Sequence, residues 1–226
     1  MPALRQFCCL LALSLSFVGM CQETAFSQDG TDPVVGVRVF WEVKLLTPSA
    51  LKSSPQIITV LSPDGTVEKT HHVFEINHST APDTKRGGFQ GQLWHGETPV
   101  KWSDPVKTGT SLGTAGETVS FVHSMALREA TNADGTVSRT LAFSIENLAS
   151  STWGNLQTTG AVEAPSTLTS LATFDPQACL RESAILVGRN RIDYMKISRI
   201  ELVRATGATA GRSVDLYLKA PRTTTP

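Results

Sequence analysis

The sequence lacks the features by which several classes of protein are recognised. Its formal net charge is +0 and 18% of its residues are charged. No basic stripe is present, so a nucleic-acid partner is not expected. Regular helical patterns do not recur between the apolar segments, which argues against a parallel βαβ fold. The hydrophobic fraction of 40% still suffices for a packed core, so disorder is not expected.

Catalytic and cofactor motifs are also missing. No Gly-x-Ser-x-Gly nucleophile elbow occurs. The glycine-rich stretch Gly87–Gly91 leads to no helix whose N-terminus could hold a phosphate, and we expect no cofactor. Four carboxylates in strand-like segments could act as an acid–base pair only if two of them lie about 5 to 9 Å apart. They are Glu129, Glu146, Asp193 and Glu201.

The N-terminus has the layout of a secretory signal peptide. Arg5 precedes an uncharged apolar run, Phe7–Val18, which is shorter than the roughly 20 residues of a membrane span. The small residues that follow predict cleavage after Ser27. We therefore expect residues 1–27 to be removed, and the protein to be secreted, periplasmic or held at the cell surface.

Cleavage after Ser27 would leave residues 28–226 as one exported domain with a frayed C-terminal tail. A cut after Cys21, or a lipid anchor on it, is the less favoured alternative. Three of the four cysteines precede Ser27, so the exported chain would contain no internal disulfide. The remaining one, Cys179, is expected to be a small buried apolar residue, the alternative being a reactive or intermolecularly paired thiol.

Alternation of apolar and polar residues predicts a β-rich fold. Over Val34–Leu46 every second residue is apolar, as in a half-buried strand, and Trp41 lies on that apolar face. Gln56–Ile76 and Thr118–Asn147 are typical of hairpins, each with an Asp-Gly turn. The similarity of the two turns is expected from hairpin chemistry alone, although an internal duplication would also produce it.

The rest of the chain gives weaker signals. Phe89–His95 is predicted to be a short strand, whereas the remainder of 83–116 and all of 149–169 are predicted to be irregular. Asp175 can cap a helix that begins at Pro176 and ends before Gly188, although Ser183–Val187 could equally form a buried strand.

The C-terminal part completes the sheet pattern. Ile192–Val203 is predicted to be a strand with a bulge near Ser198, and Val214–Lys219 to be a closing strand. Roughly eight strands and at most one short helix predict an all-β fold, either an antiparallel β-sandwich or a jelly roll.

Histidines are the residues most open to a metal interpretation. His71, His72 and His78 lie on or beside one strand, together with Glu75. Their spacing fits no zinc signature, so we expect no metal site. His123 lies on the apolar face of its strand and is expected to be a core histidine.

Three tryptophans stand in loop-like, polar surroundings and suggest a glycan-binding surface. An indole can stack on a sugar ring while nearby amides bind its hydroxyls; the alternative is that these rings close the ends of the sandwich, because tryptophan is usually mostly buried. The candidate binding residues are Trp94, Trp102, Trp153, Gln90, Gln92, His95 and Asn155.

These observations lead to three hypotheses. The first is an exported, non-enzymatic β-sandwich that binds a polysaccharide or a surface protein. The second is a secreted polysaccharide hydrolase that uses two carboxylates. The third is a structural or assembly module that pairs through a sheet edge.

Overall fold

The computed structural model describes residues 32–46, 55–76, 89–102, 116–150 and 157–222. The predicted signal peptide and the alternative lipid anchor at Cys21 lie outside these ranges.

Within the described residues the chain forms eleven strands and one α-helix. In chain order they are β1 (Val34–Leu45), β2 (Gln56–Leu61), β3 (Thr70–Ile76), β4 (Phe89–His95), β5 (Thr98–Trp102), β6 (Thr118–Thr131), β7 (Val137–Ala149), β8 (Gln157–Glu163), α1 (Pro176–Glu182), β9 (Ala184–Val187), β10 (Ile192–Arg204) and β11 (Thr209–Lys219).

The strands form two antiparallel sheets packed face to face, which confirms the predicted β-sandwich. The six-stranded sheet has the order β11-β10-β1-β6-β7-β8, and the five-stranded sheet has the order β5-β4-β3-β2-β9. The central strand β1 pairs with β10, which lies some 150 positions further along the chain, and with β6.

The core lies between the two sheets and consists of the apolar face of each strand. Trp41 of β1 is 1% exposed and stacks on Phe121 of β6, with ring centroids 6.4 Å apart. Phe74 of the facing sheet meets Phe121 edge-on at 5.4 Å. These contacts join the sheets, and they confirm that Trp41 is a core residue.

Both predicted hairpins are confirmed, but their turns differ in length. Asp134 accepts the backbone N–H of Thr136 at 2.9 Å, and β7 begins at the next residue. In the first hairpin the return strand begins at Thr70, five residues after Gly65 of the Asp-Gly turn. The longer turn packs on α1, where a Cβ added to Gly65 would be 2.5 Å from that of Ala178.

The helix and a strand near residue 180 both exist, one after the other, but the strand is a partly exposed edge strand and not the buried strand that was the alternative prediction. The Asp175 carboxylate accepts the backbone N–H of Gln177 at 2.8 Å and caps α1, as predicted. The helix ends at Glu182, and not just before Gly188, because the next residues pair with β2 as strand β9. Gly188 instead adopts a positive φ of 71° before a short 3-10 turn.

Two strands form where irregular structure was predicted. Both are edge strands whose neighbours supply hydrogen bonds that local sequence does not reveal. They are β5, which contains Pro99 and pairs with β4, and β8, which is rich in Thr and Gly and pairs with β7.

A β-bulge at Ser198 is present, as predicted. Phe40 of β1 lies opposite Arg199, whereas Trp41 lies opposite Ile197, so that Ser198 has no partner in the ladder. Its hydroxyl donates to the carbonyl of Phe40 at 3.4 Å. The residues Ile197 and Ile200 therefore both point into the core, three positions apart.

Candidate functional site

The outer face of the five-stranded sheet carries a continuous row of polar side chains. Strands β3 and β4 pair so that Glu75 lies directly opposite Gln90 and Phe74 opposite Gly91. Because successive side chains alternate between faces, Phe74 and Leu93 enter the core, whereas Glu75, Gln90, Gln92 and Trp94 share the outer face. Three of the predicted binding residues, Gln90, Gln92 and Trp94, are brought together there.

Hydrogen bonds connect this row from end to end. Gln56 Nε2 donates to Glu75 Oε1 at 2.8 Å, and Gln92 Nε2 donates to Glu75 Oε2 at 3.1 Å. Gln92 Nε2 also lies 3.2 Å from Gln90 Oε1, and its Oε1 accepts the indole N–H of Trp94 at 3.0 Å. Gln92 is therefore the centre of the row and fixes the position of the tryptophan.

Most of the row is shielded from solvent. Gln90, Gln92 and Glu75 are 4%, 6% and 7% exposed, respectively, and Gln56 is 9% exposed. Trp94 is half-buried and forms the more accessible end. Buried polar groups of this kind are held rigidly when they bond to one another, so the row is ordered before any ligand arrives.

The other predicted binding residues do not join this row in the described structure. His95 lies on the opposite face of β4 from Trp94, with its Nδ1 3.3 Å from Thr70 Oγ1. The backbone of Trp102 pairs with Gln92 at the edge of the sheet. Trp153 and Asn155 lie outside the described residues.

Sequence reasoning missed the carboxylate that joins Gln56 to Gln92 in this row. Glu75 was considered only with the nearby histidines as a metal ligand, and Gln56 was considered only as the start of a strand. The signal that could have found them is strand register: Glu75 lies in β3 directly opposite Gln90, and Gln56 begins β2, the strand on the other side of β3.

A second polar feature lies inside the core. The Nδ1 of His72 is 2.8 Å from Nε2 of His123, and the Nδ1 of His123 is 3.1 Å from Thr59 Oγ1. These two hydrogen bonds link β2 and β3 of one sheet to β6 of the other. His72 also stacks on Phe143, with ring centroids 5.2 Å apart. This confirms His123 as a core histidine.

Burial determines the charge of these two histidines. Removal from water lowers the pKa of His72 to about 3 and that of His123 well below its ordinary value. A neighbouring imidazole adds to each shift: His71 acts on His72, and His72 acts on His123. Both rings are therefore neutral at physiological pH, and one nitrogen of each can donate while the other accepts. The absence of a side chain at Gly91 leaves room for the His72 ring, since an added Cβ would lie 2.9 Å from His72 Nε2.

Neither metal binding nor thiol chemistry gains support from the described residues. No group of three or more His, Cys, Asp or Glu side chains among them could hold a metal ion. Cys179 is 1% exposed, its Sγ lies 3.9 Å from the carbonyl of Ser62, and burial raises the pKa of its thiol to about 12. This confirms it as a buried apolar residue.

The four candidate acid–base carboxylates are far apart. Glu146 on β7 is three strand spacings from Asp193 and Glu201 on β10, which at about 4.8 Å per spacing is roughly 14 Å. Asp193 and Glu201 are eight residues apart on one strand, or about 27 Å. Glu129 pairs with Arg139 at 2.5 Å near the far end of its hairpin. No two of the four lie within the range that glycosidases use.

No family model, curated protein or solved structure matches this chain. The described residues include no helix with the length and apolar character needed to cross a membrane.

Proposed function

We propose that this chain is an exported, non-enzymatic module that binds a glycan on the outer face of its five-stranded sheet. The observation that carries the proposal is the hydrogen-bonded row that ends in Trp94. Three residues selected from the sequence as sugar-binding candidates meet in this row, and a carboxylate and a further amide extend it.

The chemistry of the row suits a sugar. The half-buried indole of Trp94 offers an apolar surface to a pyranose ring, and the buried amides and carboxylate behind it hold the indole in place. Because Gln92 already holds the indole N–H and the Glu75 carboxylate, little side-chain freedom is lost on binding. Such preorganisation lowers the free-energy cost of association.

Calorimetric titration of the purified protein with a panel of soluble polysaccharides tests the binding half of the proposal. We expect one class of polysaccharide to bind, and Trp94→Ala to weaken it at least about tenfold, equivalent to about 1.4 kcal/mol. Val100→Ala is the matched control, since Val100 is 48% exposed on the same sheet, and it should bind as the unsubstituted protein does. Thermal unfolding checks that both variants fold.

Two results would count against glycan binding. One is a flat response across the panel from folded protein; the other is equal affinity in Trp94→Ala and the unsubstituted chain. A surface protein or an assembly partner would then be the leading candidate. The exposed side chains of Leu186 and Val187 on the edge strand β9 favour that alternative, because an open edge can pair with another strand.

Export is tested separately by N-terminal sequencing of the protein recovered outside the cytoplasm. Cleavage after Ser27 gives Gln28 as the first residue, whereas retention of Met1 would contradict the signal-peptide hypothesis.

A further inference from the structure

The outer face of the six-stranded sheet carries a compact cluster of two arginines, one phenylalanine and one glutamate. On the paired strands β1 and β10, Arg38 lies opposite Glu201 and Phe40 lies opposite Arg199. The four residues therefore form adjacent cross-strand pairs on one face. This face is remote from the Trp94 row, because the two outer faces lie on opposite sides of the sandwich.

Both guanidinium groups are held by the same two partners. Each guanidinium carbon lies 5.2 Å from the centroid of the Phe40 ring. Arg38 Nη1 donates to Glu201 Oε2 at 2.7 Å, and Arg199 Nη2 pairs with Glu201 Oε1. One carboxylate and one ring thus fix two like charges next to each other.

The cluster exposes its positive charges and covers its negative charge. The Glu201 side chain is 7% exposed, whereas those of Arg38 and Arg199 are 39% and 50% exposed. Two positive charges against one negative leave an excess of +1. A guanidinium has five N–H donors in a rigid fork, and one nitrogen of each is engaged by Glu201, so further donors face the solvent.

Small residues surround the two arginines and leave them accessible. Ser124 of β6 lies opposite Arg38, and Gly211 and Ser213 of β11 lie opposite Glu201 and Arg199. A Cβ on Gly211 would lie only 3.1 Å from Arg199 Nη2, so a larger residue there would displace the guanidinium. The small neighbouring side chains therefore leave the two guanidinium groups open to solvent.

We infer that the pair Arg38 and Arg199 binds a single oxyanionic group: a sulfate, phosphate or carboxylate. Planar guanidinium forks match the geometry of such groups and bind them through two parallel hydrogen bonds. The fixed position of the pair lowers the cost of bringing two positive charges to one ligand. The inference is independent of glycan binding at Trp94 because the residues and the face are different.

Calorimetric titration with three probes tests the inference: sodium sulfate against sodium chloride at matched ionic strength, dextran sulfate, and neutral dextran. Binding of both sulfate and dextran sulfate is expected, with none of neutral dextran at this face. Binding of dextran sulfate alone would assign the group to a polymer, and binding of sulfate alone would assign it to a free anion.

Four variants decide whether the arginine pair is responsible. Arg38→Gln and Arg199→Gln should each weaken binding at least about tenfold, whereas Arg181→Gln, at a 68% exposed arginine on α1, should leave it unchanged. Glu201→Gln keeps a side chain of the same length, whose amide oxygen can still hold a guanidinium group, and removes the negative charge that competes with the ligand, so binding should tighten several-fold. A purely structural role of Glu201 would not produce that gain.

Each remaining outcome would overturn the inference. These are unchanged binding in both arginine variants, an equal loss in Arg181→Gln, weaker binding in a folded Glu201→Gln protein, or no binding of either sulfated probe. Thermal unfolding of every variant accompanies the titrations. If an arginine variant does not fold, the direction of the change in Glu201→Gln still decides the question.

Discussion

Mild acid should destabilise this protein because two neutral histidines are enclosed in its core. His72 and His123 are 1% and 0% exposed, and burial lowers the pKa of both. In the unfolded chain each would titrate near its ordinary pKa of about 6.5. Between that value and the folded pKa, the unfolded state binds more protons than the folded state. The free energy of unfolding is therefore greatest above pH 6.5 and falls as the pH falls.

The size of the effect follows from proton linkage. With a pKa of about 3 in the folded protein and about 6.5 unfolded, His72 alone removes about 2 kcal/mol of stability between pH 7.5 and pH 5. His123 adds a loss in the same direction, and so does His71, whose pKa burial also lowers. Domains are stable by only about 5 to 15 kcal/mol in total, so the change is large enough to measure.

Urea unfolding followed by tryptophan fluorescence at a series of pH values between about 7.5 and 5 measures this dependence. The buried Trp41 reports the opening of the core. Replacing both His72 and His123 by Gln keeps hydrogen-bonding groups at the two positions and removes their titration. We expect the double variant to lose at least about 2 kcal/mol less stability over the interval than the unsubstituted protein.

His95→Gln is the matched control, because His95 is exposed and lies at the end of β4. It should leave the pH dependence unchanged. The reasoning is refuted if the unsubstituted protein loses less than about 0.5 kcal/mol between pH 7.5 and pH 5, or if the double variant loses as much as the unsubstituted protein does.

Two further predictions concern the turns and the cysteine. Gly65→Ala should cost more stability than Gly135→Ala in thermal unfolding. Both glycines have positive φ (70° and 81°), but only at Gly65 would a Cβ collide with Ala178. Equal losses in the two variants would contradict the packing of the first turn on α1. Cys179 should resist a thiol reagent in the native protein and react once urea unfolds it, and rapid native labelling would contradict its burial.

Local chemistry explains why much of the fold could be predicted. The two hairpins depend on Asp-Gly turns, β1 on strict alternation, and α1 on the Asp175 cap followed by Pro176, all of which are visible within a few residues. The strands β5 and β8 could not be predicted in the same way. Pro99 interrupts the first and Thr and Gly dilute the second, so that both owe their extended backbone to a neighbouring strand.

The candidate site likewise has a part that local sequence predicts and a part that depends on how the strands pair. The shared face of Gln90, Gln92 and Trp94 follows from alternation within β4 alone. The part played by Glu75 depends on the pairing of β3 with β4, and the contact between His72 and His123 depends on how two sheets meet across residues 51 positions apart. Sequence gives the face on which a side chain lies, but not its partner.

The bulge at Ser198 has a consequence for how this chain can tolerate insertions and deletions. It shifts the inside–outside phase of β10 by one residue, so that Tyr194 and Lys196 before it and Arg199 and Glu201 after it all lie on the outer face. If the strand lost the bulge but kept every residue, Arg199 and Glu201 would turn towards the core and Ile200 towards water, whereas deletion of Ser198 itself would restore regular alternation and leave Ile197 and Ile200 inside. A single-residue deletion, which elsewhere in this strand would reverse the facing of all the residues that follow it, is therefore compatible with both the core and the oxyanion cluster when it removes Ser198.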